Sequence, residues 1–376
     1  MYWIILICVF WGIIRYDFNK NSTGRDALYY FILVLVIFAS TFANKLGSDC
    51  PKYQEAFEFL LPTLGNFTDG FNDFSRLRWQ LGFAFFASLC KSIVPSFYFF
   101  KFVYACIVNI TIFSFFRKHT EHVFMALIFY LLLQGFYFNF EILREALAVS
   151  IFIWAYKFIF KKKWLIYYGL CTLAVMFHTS AFITFFVPLI MLLKVGSKYA
   201  TVIMLVLNGV LIGISSQMAS VVGDVMALDE TIESGFSTYL NSDFHSSNRL
   251  SFSSFSTWAT ILIDVLLSIY MLYLLPQKGI VKDYFPLMFI AILLVIPAKS
   301  FLILFRFTNY FMVFKILFYI EMFKYISKNI SVRSYYILFV MVCFLYVGYF
   351  FYQKNFTRND YGYRTIESIY PYRSIF

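Results

Sequence analysis

Apolar residues dominate the chain in long runs, and short polar stretches separate these runs. We predict hydrophobic helices near residues 1–14, 27–43, 93–116, 122–139, 142–160, 164–178, 180–193, 199–214, 256–275, 284–298, 301–323 and 334–352. Runs that approach 20 residues are long enough to cross a bilayer as helices. The sixth and seventh runs are short for a full crossing, so they are either tilted or two half-helices that meet at a buried site. The pattern predicts an all-α integral membrane protein, a polytopic bundle of about twelve transmembrane helices that forms a single domain over residues 1–376.

Basic residues set the predicted orientation. Arg117, Lys118 and the run Lys161–Lys163 lie in one set of alternating loops, and Lys and Arg accumulate in cytoplasmic loops. Both termini then lie outside, as do two sizeable loops at about 44–92 and 215–255 and the tail 353–376. This topology accounts for the net charge of +11, which in a soluble protein would indicate nucleic acid. We therefore expect the lipid bilayer, and no nucleic acid, as a partner.

Composition agrees with a membrane protein. The chain is 61% hydrophobic and 14% charged, whereas about a quarter of the residues in soluble domains are charged. Aromatic residues make up 23%, which fits lipid-facing positions and interfacial belts, although some could stack on sugar rings. Cys50 and Cys90 are either two free thiols or a disulfide that faces an oxidising space. The sequence has no glycine-rich phosphate loop, G-x-S-x-G or H-E-x-x-H, which disfavours an ATPase or a zinc protease.

Two adjacent charges, Arg144 and Glu145, interrupt the apolar pattern near the outer start of the fifth predicted helix. Charges in such helices are costly and often functional. An arginine there can hold a phosphate through two parallel hydrogen bonds and stays charged at any relevant pH. The alternative is a snorkelling side chain, or one paired with Glu141 or Glu145. Glu145 points about 100° away from Arg144 around the helix, and it is either a general base or the neutralising partner of an arginine.

A third candidate, His178, lies in the segment FHTSAF between the sixth and seventh predicted helices. It is either a packing residue held by hydrogen bonds or a catalyst. A second histidine at metal-ligand spacing is missing from the sequence, so we predict no metal site and no cofactor.

Several further polar residues fall on the predicted outer side. These candidates are Asp49, Arg78, Arg249, Arg306 and Tyr310. As a set, the arginines fit an anionic ligand, whereas for any single loop charge a solvated surface role is the alternative. Arg306 and Tyr310 are four residues apart and share a helix face.

The chain contains five short motifs in a fixed order. Their sequences and their order resemble those of the EpsG family, within the broader Wzy class of bacterial polysaccharide polymerases. They are G-x-D-x-x-x-Y at Gly47, Asp49 and Tyr53, LREALAVSIF around Arg144, KKKW at Lys161–Trp164, FHTSAF around His178 and RFTNY around Arg306, followed by an aromatic C-terminal tail. Each motif is short and degenerate, but their succession is fairly specific and spans most of the chain. The family usually has Arg-Gln where this chain has Arg144-Glu145.

The resemblance implies a metal-independent membrane glycosyltransferase with a GT-C-like helical fold in the bacterial inner membrane. Its substrates would be undecaprenyl-pyrophosphate-linked oligosaccharide repeat units of O-antigen, capsule or exopolysaccharide, polymerised at the periplasmic face. Candidate protein partners are a flippase and chain-length regulators. In this interpretation Arg144, Arg306, Arg249, Arg78 and Tyr310 bind pyrophosphate or glycan. Glu145, His178 and Asp49 are the candidate catalytic groups.

Other classes of activity remain open from the sequence. An O-antigen ligase-like transferase would use the same donor with a different acceptor. A lipid-linked oligosaccharide flippase or exporter would favour duplicated halves, and no internal repeat is evident. An O-acyltransferase would need a buried catalytic histidine, for which His178 alone is thin support.

Overall fold

The computed structural model describes residues 1–19, 23–47, 49–67, 79–192, six positions between 199 and 210, residues 279–294 and 302–327, and residues 372 and 374. Within these ranges the regular structure is helical apart from an isolated antiparallel bridge between Ala43 and Ser374. By their internal contacts the described residues divide into two units. The first holds residues 1–186 together with 372 and 374, and the second holds the described residues between 187 and 327.

The first unit contains most of the described helices. Its α-helices are α1 Tyr2–Gly12, α2 Arg25–Thr41, α3 Cys50–Glu55, α4 Leu81–Ile93, α5 Phe97–His119, α6 Val123–Tyr130, α7 Phe136–Phe140, α8 Leu143–Ala155, α9 Lys157–Phe160 and α10 Trp164–Phe177. Wider π-helical turns follow α1, α3 and α6 at Ile13–Phe18, Ala56–Leu60 and Leu131–Gly135. Tighter 3₁₀ turns occur at Leu64–Asn66 and Thr179–Phe186.

The second unit is described by three helices, α11 Val187–Leu192, α12 Ile280–Leu293 and α13 Leu302–Ser327. Packing in this unit pairs α12 with α13. Phe285, Leu287, Phe314 and Phe318 are buried on these two helices, and the rings of Tyr284 and Phe314 are 5.9 Å apart. Burial of such side chains from water or lipid into a close-packed interface stabilises the pair.

The core of the first unit forms around α5, which packs against α2 and α8. α5 buries Phe100, Tyr104, Phe113 and Phe116, and α6 is buried at every position from Val123 to Tyr130. A helix that is apolar on all sides belongs in the interior of a protein or in a membrane. α8 in turn packs against α10, to which a short connection joins it, so these two helices run antiparallel.

Apolar helices suggest a membrane protein. Among the described helices, α5 with its 23 residues is long and apolar enough to cross a bilayer. A single helix of this kind is weak evidence for a membrane protein. α4 and α10 are shorter apolar helices. The outer face of α1 adds to this, because Trp3, Ile7 and Trp11 recur at helical spacing and are 66%, 65% and 55% exposed. Large contiguous apolar surfaces of this type mark contacts with lipid or another protein.

A buried carboxylate joins the end of α1 to the start of α6. Asp17 lies in the π turn just beyond the first predicted span, and its Oδ2 accepts a 2.7 Å hydrogen bond from the backbone N–H of Met125. An acidic group at the N-terminus of a helix satisfies a donor that has no partner within the helix. Burial nevertheless raises the pKa of the Asp17 carboxyl from 3.8 to about 8, against the lowering effects of the N–H of Met125 and the charge of Arg25.

Helices occur in every predicted segment that lies within the described ranges, so the all-helical prediction is confirmed there. The segment 199–214 is described at six positions, each helical, whereas 256–275, 334–352 and the predicted loop 215–255 lie outside the described residues. The predicted loop 44–92 differs from the structure because it contains α3 and α4. Hydropathy missed α4 since its 13 residues span only about 20 Å, less than the bilayer core.

Candidate functional site

Arg144, the second residue of α8, is the centre of the candidate site. Its side chain is half-buried and is held from two sides: Nε donates to the hydroxyl of Tyr53 and Nη1 donates to Oε1 of Gln80, each at 3.0 Å. The guanidinium carbon also lies 5.9 Å from the centre of the Tyr53 ring, within cation–π range. Two separate contacts on one planar group define both its position and its plane.

An aromatic cluster holds Tyr53 in place. The Tyr53 ring lies 5.7 Å from that of Trp79 and 5.8 Å from that of Phe83, and these two rings are 5.0 Å apart. Tilted and edge-to-face pairs at such distances add specific stability beyond burial. α3 and the start of α4 thus supply a stiff wall behind the arginine.

A lysine in the last turn of α4 ties α3 to α4. The ammonium of Lys91 donates to the backbone carbonyls of Phe57, Leu61 and Glu58 at 2.7, 2.8 and 3.1 Å. These carbonyls belong to the π turn that extends α3 and to Leu61, the residue that follows it, where cations are favoured by the helix dipole. Tyr53 and Gln80 are therefore carried on two connected helices.

The G-x-D part of the motif packs on the end of α7. Gly47 has φ +86°, and a Cβ at this position would lie 2.3 Å from the carbonyl oxygen of Phe140. Only glycine combines this backbone conformation with the absence of a side chain. The backbone N–H of Asp49 then donates to Oε2 of Glu141 at 3.3 Å, so a buried carboxylate anchors the start of α3.

The Asp49 side chain behaves differently from its backbone. Its carboxylate is 46% exposed and forms a 3.4 Å ion pair with Lys52. An exposed pair of this kind contributes little to stability. The buried contact of Asp49 is thus made by its N–H, and its predicted catalytic role stays a prediction.

Glu145 is 1% exposed, whereas the neighbouring Arg144 is half-buried. The two side chains leave α8 in different directions, as the helical turn requires. A carboxylate withdrawn from water must interact with protein groups. The side chain of Glu145 is therefore part of the protein interior, although Glu145 follows Arg144 directly in the sequence.

His178 occupies the break between α10 and the following 3₁₀ turn. Its ring is buried, and Nδ1 lies 2.6 Å from Oγ of Ser180 and 3.2 Å from the backbone nitrogen of Ser180. A backbone N–H can only donate, so Nδ1 accepts and the proton of the neutral ring is assigned to Nε2. His178 therefore caps the 3₁₀ turn and presents Nε2–H as a donor.

Arg144 and His178 lie at the same end of the antiparallel pair α8 and α10. The start of α4 packs there too, because a Cβ on Gly82 would lie 2.8 Å from the carbonyl oxygen of Met176. The rings of Phe86 and Phe177 are 6.1 Å apart in the same contact. This end of the first unit thus gathers α3, α4, α8 and the His178 turn.

Lys101 is a further buried charge at the same end, beside Ala43 and Phe140, and the sequence predicted no role for it. It is 0% exposed, and its ammonium donates to the carbonyl of Ala43 at 3.1 Å and lies 6.0 Å from the centre of the Phe140 ring. Burial raises the pKa of the Cys50 thiol, and the charge of Lys101 opposes this rise. A lysine within an apolar run was the available signal.

The sequence left two alternatives for Cys50 and Cys90, a disulfide or two free thiols. Both are free thiols in the structure.

The described part of the C-terminal tail joins this end as well. The hydroxyl of Tyr372 donates to the carbonyl of Ala39 at 3.1 Å, and its ring lies 5.4 Å from that of Tyr2. Ser374 pairs with Ala43. The tail therefore contacts the end of α2, just before Gly47.

The other predicted site residues are distributed as follows. Arg306 is half-buried and Tyr310 is buried on α13 of the second unit, one turn apart as the sequence predicts. Arg78 and Arg249 lie outside the described residues. Gln80, which contacts Arg144, and Trp79, which packs on Tyr53, were missed, because nothing in their sequence surroundings indicates these contacts.

Comparison with known proteins is consistent with the motifs. No curated protein and no solved structure matches the chain significantly. The model of the EpsG family matches residues 26–374, a range that contains Gly47, Tyr53, Arg144 and His178. Nearly the whole chain is covered, and membership of this family suggests a role in exopolysaccharide biosynthesis. The chain therefore belongs to the EpsG family.

Proposed function

We propose that this protein is a polytopic glycosyltransferase of the bacterial inner membrane that polymerises undecaprenyl-pyrophosphate-linked oligosaccharide repeat units into a surface polysaccharide. The observation that carries the proposal is the half-buried guanidinium of Arg144, aligned by Tyr53 and Gln80 at 3.0 Å each. A planar cation in such a setting suits a diphosphate leaving group.

The position of Arg144 along α8 supports a site at the outer face. Arg144 is at the N-terminal end of α8, whereas Lys157 and the run Lys161–Lys163 follow its C-terminal end. Lys and Arg accumulate on the cytoplasmic side. The candidate site then faces the periplasm, where lipid-linked repeat units are polymerised in the proposed reaction.

The reaction breaks the bond between the anomeric carbon of the growing chain and its diphosphate, and forms a bond from that carbon to a hydroxyl of the incoming unit. The electron pair leaves with the diphosphate, and Arg144 stabilises the developing negative charge. The hydroxyl proton passes to a base. Preorganised charge of this type reduces the barrier most when its alignment is complete before the reaction.

Among the candidate catalytic groups we assign the base to Glu145. Its carboxylate is buried, and it belongs to the same first turn of α8 as Arg144. His178 presents Nε2–H and already uses Nδ1 for Ser180, so it suits hydrogen-bond donation to a substrate oxygen. The carboxylate of Asp49 is exposed and paired with Lys52. Arg306 and Tyr310 on α13, with Arg249 and Arg78, remain proposed contacts to pyrophosphate or glycan.

The test uses the surface glycan of the native host. Cells that lack the protein are expected to display single repeat units, and wild-type protein restores long chains. Arg144→Lys is expected to shorten the chains severely and leave slow polymerisation, because one ammonium keeps the charge but cannot reproduce the planar fork between Tyr53 and Gln80. Arg117→Lys is the matched control, since Arg117 forms an exposed ion pair with Asp26.

Two outcomes would contradict the proposal. If cells that lack the protein make long chains that stay unattached, the protein is a ligase-like transferase. If these cells lose the surface glycan completely, it is a flippase or exporter. Polymerisation by purified Arg144→Ala at the wild-type rate would remove this residue from the mechanism.

A further inference from the structure

An open groove of about 400 Å³ lies between α5 and α8, away from Arg144. Its walls are largely apolar and include Ile107 and Ile110 of α5 and Ile153 and Trp154 of α8. Trp154 is 44% exposed. An apolar channel between two helices on the outside of a bundle offers a place for a hydrocarbon chain.

Two lysines lie at one end of this groove, Lys118 near the end of α5 and Lys157 just after α8. Both are exposed, and neither forms an ion pair with a carboxylate in the part of the chain that the structure describes. Two ammonium groups at the mouth of an apolar channel favour an anionic headgroup.

The floor beneath the lysines is polar and neutral. His119 places Nδ1 2.6 Å from the carbonyl of Phe115, which can only accept, so Nδ1 carries the proton. Nε2 then accepts a 3.0 Å hydrogen bond from the hydroxyl of Tyr156. The charge at this end of the groove therefore comes from Lys118 and Lys157.

The length of the groove fits one leaflet. Its lining on α5 extends from Cys106 to His119, a distance of about 20 Å along the helix axis. Half of the hydrocarbon core of a bilayer is about 15 Å thick. When the lysines lie at headgroup level, the apolar walls reach through the acyl region of that leaflet.

We infer that this groove is a binding site for an anionic phospholipid of the cytoplasmic leaflet. One acyl chain lies along Ile107, Ile110 and Trp154, and the headgroup phosphate contacts Lys118 and Lys157. The site is at the opposite end of α8 from Arg144. The inference requires that the chain lies in a bilayer, and it does not depend on the reaction proposed for Arg144.

The test measures quenching of Trp154 by brominated lipids. The full-length protein is reconstituted in phosphatidylcholine vesicles that contain increasing fractions of phosphatidylglycerol with dibrominated acyl chains, or of dibrominated phosphatidylcholine as the reference. The difference in fluorescence between the wild type and Trp154→Phe isolates Trp154 from the other tryptophans. Each lysine near an anionic headgroup gives an about fivefold preference. Half-maximal quenching is therefore expected at an about 25-fold lower fraction of dibrominated phosphatidylglycerol than of dibrominated phosphatidylcholine.

Matched charge removals separate a site from general attraction to basic protein. Lys118→Gln with Lys157→Gln is expected to abolish the preference for the anionic lipid. Lys161→Gln with Lys163→Gln removes the same charge from exposed positions outside the groove and is expected to leave the preference intact. An equal loss in both double variants would overturn the inference in favour of nonspecific attraction. Equal quenching by both lipids in the wild type, or none, would overturn it in favour of another occupant of the groove.

Discussion

Removing one hydroxyl next to Arg144 gives the sharpest test of the candidate site. In Tyr53→Phe the ring keeps its contacts with Trp79 and Phe83, and the acceptor for Arg144 Nε is lost. A hydrogen bond to a charged group is worth about 1.5–3 kcal/mol. Arg144 is half-buried, so water replaces part of the contact and the lower limit applies. A loss of about 1.5 kcal/mol corresponds to an about tenfold slower transfer.

The assay is polymerisation of purified lipid-linked repeat units, with the rate measured at saturating and at limiting substrate. Tyr53 acts through Arg144, so it is a positioning residue and its loss is expected mainly in kcat, with KM little changed. In an Arg144→Lys background, which has no Nε–H, Tyr53→Phe is expected to have no further effect. The cycle then gives a coupling energy of about 1.5 kcal/mol.

Tyr167→Phe is the matched control, because it removes another buried tyrosine hydroxyl. This hydroxyl donates to the backbone carbonyl of Thr184 and not to a group of the candidate site. Its loss is expected to reduce thermal stability without coupling to Arg144. The reasoning would be refuted by equal factors for Tyr53→Phe in the wild-type and Arg144→Lys backgrounds, since the hydroxyl would then act independently of the guanidinium.

The remaining predictions concern the fold around the site. Gly47→Ala places a Cβ 2.3 Å from the carbonyl of Phe140 at φ +86°, so we expect at least about 2 kcal/mol of destabilisation, seen as a lower midpoint of thermal unfolding in detergent; an unchanged midpoint would contradict the observed packing. Because burial raises the pKa of Asp17 from 3.8 to about 8, the folded state binds more protons over this interval and stability falls as the pH rises through it. Asp17→Asn is expected to flatten the dependence of the melting temperature on pH between 5 and 8, and equal slopes would count against it. His178→Asn retains an acceptor for the Ser180 N–H, so the protein should fold, and wild-type turnover would show that capping is the whole role of His178.

The long helices could be predicted because an apolar run is itself the signal for a helix. α5 and α10 follow runs of this kind closely, at Phe97–His119 and Trp164–Phe177. α4 gave a weak signal, since 13 residues are too few to span a bilayer. α3 gave none, because its six residues include charged positions and no apolar run.

The candidate site was predictable only where a motif carried it. Gly47, Tyr53 and Arg144 belong to the motifs that resemble the EpsG family. The structure brings Tyr53 and Arg144 within hydrogen-bond distance, although 91 residues of sequence separate them. Gln80 has no motif, although it makes an equally short contact with Arg144 across 64 residues. Such a contact depends on the packing of α4 beside α3, which local periodicity does not encode.

The three hydrogen bonds of Lys91 determine which helices around the site move together. They lock the turn after α3 to the last turn of α4, and separating these helices would break all three at once. α3 and α4 therefore move as a rigid clamp that carries both anchors of the guanidinium. A displacement of α8 from this clamp breaks the contacts of Arg144 with Tyr53 and Gln80, so the two hydrogen bonds of the guanidinium resist the separation of α8 from α3 and α4.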